Sequence, residues 1–276
     1  MAGPAGTAPA TLTIAAATET PLPTATEEGK DFPAPTLTGG DCLAAGGMVE
    51  AFEIESDYLD AGLRFRVYTP ACYEEQAERS YPVLYLIHGQ TFNDDQWDRL
   101  GADEAADELI ASGETAPFLI VMPYDRSSAQ TQVENFGQAV IEELLLWMDA
   151  NSRVEPGRSS RAVGGLSRGA SWALHFALTR PDLCGAVGGH SPPVFVEDAP
   201  MVREWLEAIP QDELPRIWLD IGERDQEAIL ASAQWFAGLL DEMDIPHEWH
   251  LFPGRHEEAY WSSHLEQYLR WYAAEW

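Results

Sequence analysis

Two nearly unbroken apolar runs, YPVLYLIHG (residues 81–89) and PFLIVMPY (117–124), restrict the folds open to this chain more than any other feature. Each is short, rich in β-branched or aromatic residues, and bounded by Pro, Gly or polar residues. That is the pattern of a strand buried on both faces rather than of an amphipathic helix. Such strands need cover above and below. The intervening segments provide it: 97–113, 133–152, 167–180, 226–243 and 257–276 place apolar residues at helical spacing. Further short strands are expected at 161–165, 183–191, 216–222 and 247–254, with a short helix at 201–209 in an insert between Ser191 and Pro215. Strands alternating with helices imply βαβ units and a mostly parallel sheet with helices on both faces, an α/β fold. Ahead of it, MVEAFEIES (48–56) and GLRFRVYTP (62–70) alternate around the turn YLDAG, which reads as an antiparallel hairpin. In such sheets the chemistry gathers at the C-terminal ends of the strands. The candidate positions are therefore His88-Gly89-Gln90, Ser167, Ser191, Asp225 and His256.

Residues 1–38 lie outside this pattern. They are dominated by Ala, Thr, Pro and Gly, bury little surface, and read as a disordered linker or stalk before one catalytic domain at 39–276. No run of 18 apolar residues exists, and no charged start followed by an apolar core is present, so a signal peptide is not seen in this chain. The formal net charge of −30 argues against nucleic acid and anionic membrane surfaces as partners. Of the three cysteines, Cys42 and Cys72 flank the first two strands, and the chain can return to join them. That disulfide is expected to contribute ~3–4 kcal/mol and fits a secreted or cell-surface protein. Cys184 is expected to be a small buried residue. No phosphate cradle, zinc-finger spacing or dinucleotide fingerprint is present, and no metal or cofactor is expected. The run NDDQWD (93–98) lacks the glycine and distal glutamate of a calcium loop and reads as a solvated loop.

Gly165-Leu166-Ser167-Arg168-Gly169 matches G-x-S-x-G, a pattern that chance supplies in roughly one chain in ten of this length. Its setting separates it from chance. A short strand precedes Ser167 and a strong helix follows, as a nucleophile elbow requires. A serine hydroxyl needs a base. His256, in the polar loop after the last strand, is the leading candidate, and His190, at a strand end, is its competitor. The base must be oriented by a carboxylate. Asp225 is favoured, with Glu223 and Asp220 as alternatives. The order Ser167, Asp225, His256 is that of an α/β-hydrolase. The oxyanion donors are expected to be the backbone N–H groups of Arg168 and Gln90. His88 is read as structural. Trp97, Tyr124, Tyr260 and Trp261 are candidates for lining the cleft or, equally, for core packing.

YPVLYLIHG with a downstream Trp97, VMPYDRS, GGLSRGASWALHFALTRPDLCGAV, WLDIGERD and FPGRHEEAYW together resemble the putative esterase family of α/β-hydrolases, over about residues 42–276. That family includes esterase D, feruloyl and acetylxylan esterases, enterochelin esterase-like enzymes and mycolyltransferases. The resemblance implies a nucleophile at Ser167, an acid at Asp225, a base at His256 and oxyanion donors at Gln90 and Arg168. It also implies the Cys42–Cys72 pair, which looks like that of secreted members reaching the third strand through a segment such as TPACYEE. Many members carry methionine after the serine. Arg168 takes that place here, and a guanidinium at the mouth would bear on substrate choice. The expected activity is serine carboxylic-ester hydrolysis of a small-molecule or carbohydrate-linked ester. Alternatives are a feruloyl, acetylxylan or siderophore esterase, an acyltransferase on the same fold, or a surface-binding module without catalysis.

Overall fold

The computed structural model describes residues 42–126 and 135–276. The linker expected at 1–38 lies outside them, as does the start of the helix expected from residue 133. Among the described residues, β1 (Met48–Ile54), β2 (Leu63–Thr69), β3 (Val83–Ile87), β4 (Leu119–Pro123), β5 (Arg161–Leu166), β6 (Ala186–His190), β7 (Arg216–Gly222) and β8 (Glu248–Phe252) form one sheet. Its order is β1-β2-β4-β3-β5-β6-β7-β8. The hairpin β1–β2 joins the sheet through an antiparallel β2–β4 ladder, and β4 to β8 and β3 pair in parallel. β2 therefore runs against all the others.

The helices are α1 (Cys42–Ala45), α2 (Gln96–Arg99), α3 (Ala102–Ser112), α4 (Phe136–Ala139), α5 (Leu145–Asn151), α6 (Arg168–Thr179), α7 (Val202–Ala208), α8 (Glu227–Glu242), α9 (Glu258–Ser262) and α10 (Leu265–Ala273). Three segments expected to be single helices are subdivided. The first breaks at Gly101, whose φ of 95° no right-handed helix accommodates. The second passes from α4 to α5 through a π turn, Val140–Leu144. The third is interrupted at His264, between α9 and α10.

β3 and β4 are buried at every position, as their apolar runs require. The two faces of the sheet carry separate apolar layers. One contains Phe65, Tyr85, Phe136, Trp172 and Phe236, the other Tyr68, Trp97, Phe118, Trp261 and Tyr272. Burying an aromatic side chain contributes about 1.5–3 kcal/mol, so these layers hold the strand ends in register. Cys42 and Cys72 form the expected disulfide. Cys184 is a buried free thiol, and burial pushes its pKa up to about 12, which keeps it protonated and inert.

Candidate active site

Ser167 stands between β5 and α6 with φ 53° and ψ −122°. A non-glycine residue rarely adopts this backbone conformation, and such strain gathers at functional sites. The flanking glycines make it feasible. A Cβ at Gly165 would lie 2.3 Å from the Gly169 carbonyl carbon, and a Cβ at Gly169 would lie 2.1 Å from the Ile87 carbonyl oxygen. Helix and strands meet so closely that only hydrogen fits. The Ser167 N–H donates to the His190 carbonyl at 2.9 Å, which ties the elbow to β6.

From this elbow a hydrogen-bond relay runs across the strand ends. The Ser167 hydroxyl donates to His256 Nε2 at 2.9 Å, and His256 Nδ1–H donates to Asp225 Oδ1 at 2.8 Å. Asp225 follows β7 and His256 follows β8. The Asp225 side chain is fully buried and that of His256 is 15% exposed. A carboxylate only accepts, so the proton must reside on Nδ1, leaving Nε2 as an acceptor for the serine proton. The loop bearing His256 is fastened to the β7 loop by Glu223 N–H to the Phe252 carbonyl (2.8 Å) and Arg224 N–H to the Gly254 carbonyl (3.0 Å).

The competing residues have other employment. His190 and Asp220 pair with each other at 2.6 Å, both fully buried. The Asp220 carboxylate also accepts from Trp218 Nε1–H on Oδ1 and from the Tyr260 and Tyr268 hydroxyls on Oδ2. Burial alone would raise the Asp220 pKa. His190 beside it and the donors from His190, Tyr260 and Tyr268 outweigh burial and hold the carboxyl below the usual range. The same burial, with the Asp220 charge, pushes Tyr268 well above an ordinary phenol. Glu223 is exposed.

A cleft of about 310 Å³ opens beside Ser167, His256 and Gln90, with Phe92, Ile229 and Trp261 as its apolar lining and Gln226, Glu257 and Glu258 as its polar one. Gln90 is the first of three exposed residues, Gln90, Thr91 and Phe92, in the loop after β3. Arg168 opens α6, so its N–H lies at the positive end of the helix dipole. The loop presenting Gln90 is braced from below. Gln96 Oε1 accepts the Gly89 N–H at 2.8 Å, and Trp97 Nε1–H donates to the Ile87 carbonyl at 3.0 Å. His88 Nδ1–H donates to the Gly89 carbonyl, its Nε2 accepts the Asp125 N–H, and burial lowers its pKa. It is a neutral structural residue.

Several expectations need correction. Trp97 is 1% exposed and belongs to the core, where it supports the loop that follows β3 rather than lining the cleft beside Ser167. Tyr260 is likewise buried, with its hydroxyl on Asp220. Tyr124, just after β4, lies against the His88 ring, and the guanidinium groups of Arg64 and Arg126 both approach its own ring. Trp261 is mostly buried but meets the cleft, its ring 5.0 Å from that of His256. The Arg168 guanidinium is not presented at the mouth. Its Nε–H donates to Asp125 Oδ2 at 2.9 Å, an oxygen shared with Trp172 Nε1–H, and the side chain is only 11% exposed. Nor is NDDQWD solvated throughout: Asp94 is buried and ion-paired to Arg64, while Asp98 pairs with Arg66. Among the described residues, no group of three or more His, Cys, Asp or Glu side chains could hold a metal ion.

Sequence reasoning did not single out Gln96, Asp125 or the role of Ser191. Only proximity to GQ and SR in a folded chain gives the first two meaning. The sequence marks Ser191 as a strand end, but its partners, Asp225 and Trp261, lie 34 and 70 residues away.

Comparison with known proteins places the chain in a family. The endo-1,4-β-xylanase/feruloyl esterase of Xylanibacter ruminicola is 32% identical over 138 residues, which is 46% of this chain and 19% of that protein. Esterase Rv1288 of Mycobacterium tuberculosis is 27% identical over 230 residues, 64% of this chain and 49% of that protein. The chain thus spans half or less of the curated relatives it matches. Among solved structures, a ferulic acid esterase superposes with a TM-score of 0.75 at 22% identity, covering 84% of this chain and 99% of that one. The S-formylglutathione hydrolase FrmB of Staphylococcus aureus gives 0.64 at 14% identity, covering 82% and 99%. At these identities the likeness is one of fold. The family described as "Putative esterase" matches residues 56–272, which takes in every strand from β2 to β8 and all the residues of the relay, and the chain belongs to that family.

Proposed function

We propose that this chain is a serine carboxylic-ester hydrolase working through an acyl-enzyme. The observation that carries the proposal is the unbroken relay from Ser167 through His256 to the buried Asp225. The Ser167 oxygen attacks the ester carbonyl as His256 Nε2 takes its proton. Asp225 steadies the resulting imidazolium through Nδ1–H. The carbonyl oxygen, now anionic, is received by the N–H groups of Gln90 and Arg168. As the tetrahedral species collapses, His256 returns the proton to the leaving alcohol and the acyl group stays on Ser167. Water, deprotonated by the same imidazole, then releases the acid and restores the hydroxyl. Each oxyanion donor of this kind contributes about 2.7–4 kcal/mol to lowering the barrier.

A feruloyl ester of a plant-wall carbohydrate is the more specific reading. The Xylanibacter relative carries feruloyl esterase in its name, and the cleft offers the partly exposed ring of Phe92 with Ile229 and Trp261 for a flat aromatic acyl group. The Cys42–Cys72 bond fits secretion into an oxidising compartment. Labelling with a fluorophosphonate, followed by a panel of acetyl, butyryl and feruloyl esters, tests both readings. The wild-type chain should label at Ser167, and Ser167→Ala should lower kcat by about 10⁴-fold or more. Retained turnover in Ser167→Ala would refute the serine mechanism. Equal rates on all three esters would refute the feruloyl preference alone.

A further inference from the structure

Asp225 is held from behind as well as from the front. Its side chain is fully buried, so both carboxylate oxygens require donors. Oδ1 has two, His256 Nδ1–H at 2.8 Å and the Gln226 N–H at 2.6 Å. Oδ2 accepts the hydroxyl of Ser191 at 2.9 Å. Ser191 is itself 0% exposed. Trp261 Nε1–H donates to the Ser191 oxygen at 3.3 Å, which occupies a lone pair and leaves the hydroxyl hydrogen for the carboxylate.

The backbone at Ser191 is costly. Its φ is 52°, a left-handed conformation that penalises every residue with a Cβ and that glycine adopts freely. Its N–H donates to the Asp220 carbonyl at 2.7 Å, which continues the β6–β7 ladder through this residue and fixes the direction of its side chain. A strained, buried serine whose hydroxyl donates to the Asp225 carboxylate, where glycine would fit without strain, calls for a reason in the reaction.

We infer that Ser191 is a positioning residue. Its hydroxyl, oriented by Trp261, clamps Asp225 Oδ2, and Oδ1 consequently keeps the His256 ring in the tautomer and rotation that face Ser167. Without the clamp the carboxylate turns about its Cβ–Cγ bond to seek another donor for Oδ2, and the imidazole loses alignment. More negative charge also remains on the oxygen facing Nδ1. That favours the imidazolium and moves the acid limb of the pH profile to higher pH. The other charged groups lining the cleft, Glu257 and Glu258, are untouched by a change at Ser191. The inference rests on the Ser167–His256–Asp225 reading above.

The test compares Ser191→Ala and Ser191→Gly with wild type on p-nitrophenyl acetate, with Ser167→Ala as the control and circular dichroism to verify folding. Ser191→Gly removes the hydroxyl and relieves the backbone strain, so it reports on the clamp even if Ser191→Ala fails to fold. Both variants are expected to lose about tenfold in kcat, as for a hydrogen bond to a charged group, with KM within about twofold and the acid limb raised by about half a pH unit. A folded Ser191→Gly with wild-type kcat and pH profile, alongside an inactive Ser167→Ala, overturns the clamp and leaves the serine mechanism standing. An active Ser167→Ala overturns both.

Discussion

Replacing Asp220 by Asn should destabilise the fold far more than its single-atom change implies. The carboxylate accepts four hydrogen bonds: Oδ1 from His190 and Trp218, Oδ2 from Tyr260 and Tyr268. An amide offers one accepting atom. In either orientation, two buried donors lose their acceptor, and no solvent reaches the site to replace it. Each orphaned donor costs about 1–3 kcal/mol, so the loss is about 2–6 kcal/mol. For a domain of this size that corresponds to a fall in Tm on the order of 10 °C. Differential scanning calorimetry at pH 7 measures it, with Asp225→Asn as the comparison that should silence activity with a smaller effect on Tm. The carboxylate also predicts a pH dependence. Its folded-state pKa is depressed, so its contribution is complete above the ordinary carboxylate range near pH 4 and is lost as the pH falls through the lower folded value. Asp220→Asn should therefore flatten the stability curve on its acid side. A Tm within about 2 °C of wild type, with an unchanged acid limb, would refute the account of Asp220 as a fully satisfied buried anion.

Gly169→Ala should separate α6 from β3, because the added methyl meets the Ile87 carbonyl oxygen at 2.1 Å; kcat/KM should fall by about 100-fold or more, and wild-type turnover in a soluble variant would contradict the close-approach argument. Reduction of Cys42–Cys72 should cost ~3–4 kcal/mol of stability while leaving kcat unaltered below the new Tm, since the bond fastens the entrance to the hairpin and not the strands bearing the relay; equal melting curves with and without reductant would count against it. Glu257→Lys should raise kcat/KM on a carboxylate-bearing ester about 3–10-fold relative to its neutral analogue, with the gain shrinking in high salt, because Glu257 lines the cleft beside His256.

The sheet was readable because its central strands declare themselves locally: short apolar runs bounded by Pro, Gly or polar residues fit strands buried on both faces, and the alternating ones face solvent on one side. The residues of the proposed triad were readable as candidates for a related reason, since Ser167, Asp225 and His256 each lie within a few residues of a strand's C-terminal end. What escaped depends on contacts between residues far apart in sequence. His190 and Asp220 are 30 residues apart and satisfy each other, so each in isolation looked like a rival for the catalytic roles. Asp94 meets Arg64 across a 30-residue separation, which turned an expected solvated loop into a buried anchor. The aromatic residues near the motifs were ambiguous for a different reason. Trp97 and Trp261 both neighbour the relay loops, and sequence does not say which side of a loop a ring takes. The π turn at Val140–Leu144 left no trace because one extra residue in a turn barely disturbs an amphipathic pattern.

Neighbouring strands β5, β6, β7 and β8 each deliver one member of the hydrogen-bonded chain that joins Ser167, Ser191, Asp225 and His256, and the Ser167 N–H on the His190 carbonyl closes it into a ring. Such a ring is a gauge of the mutual alignment of four strands. Its most vulnerable station is the last, because β8 is an edge strand whose residues are all partly or fully exposed. Opening of that edge requires only local unfolding, which costs less than unfolding the core. The proposed turnover should therefore fail on heating or in denaturant before the sheet itself gives way, so that an ester-hydrolysis assay would report the integrity of β8 rather than that of the whole fold.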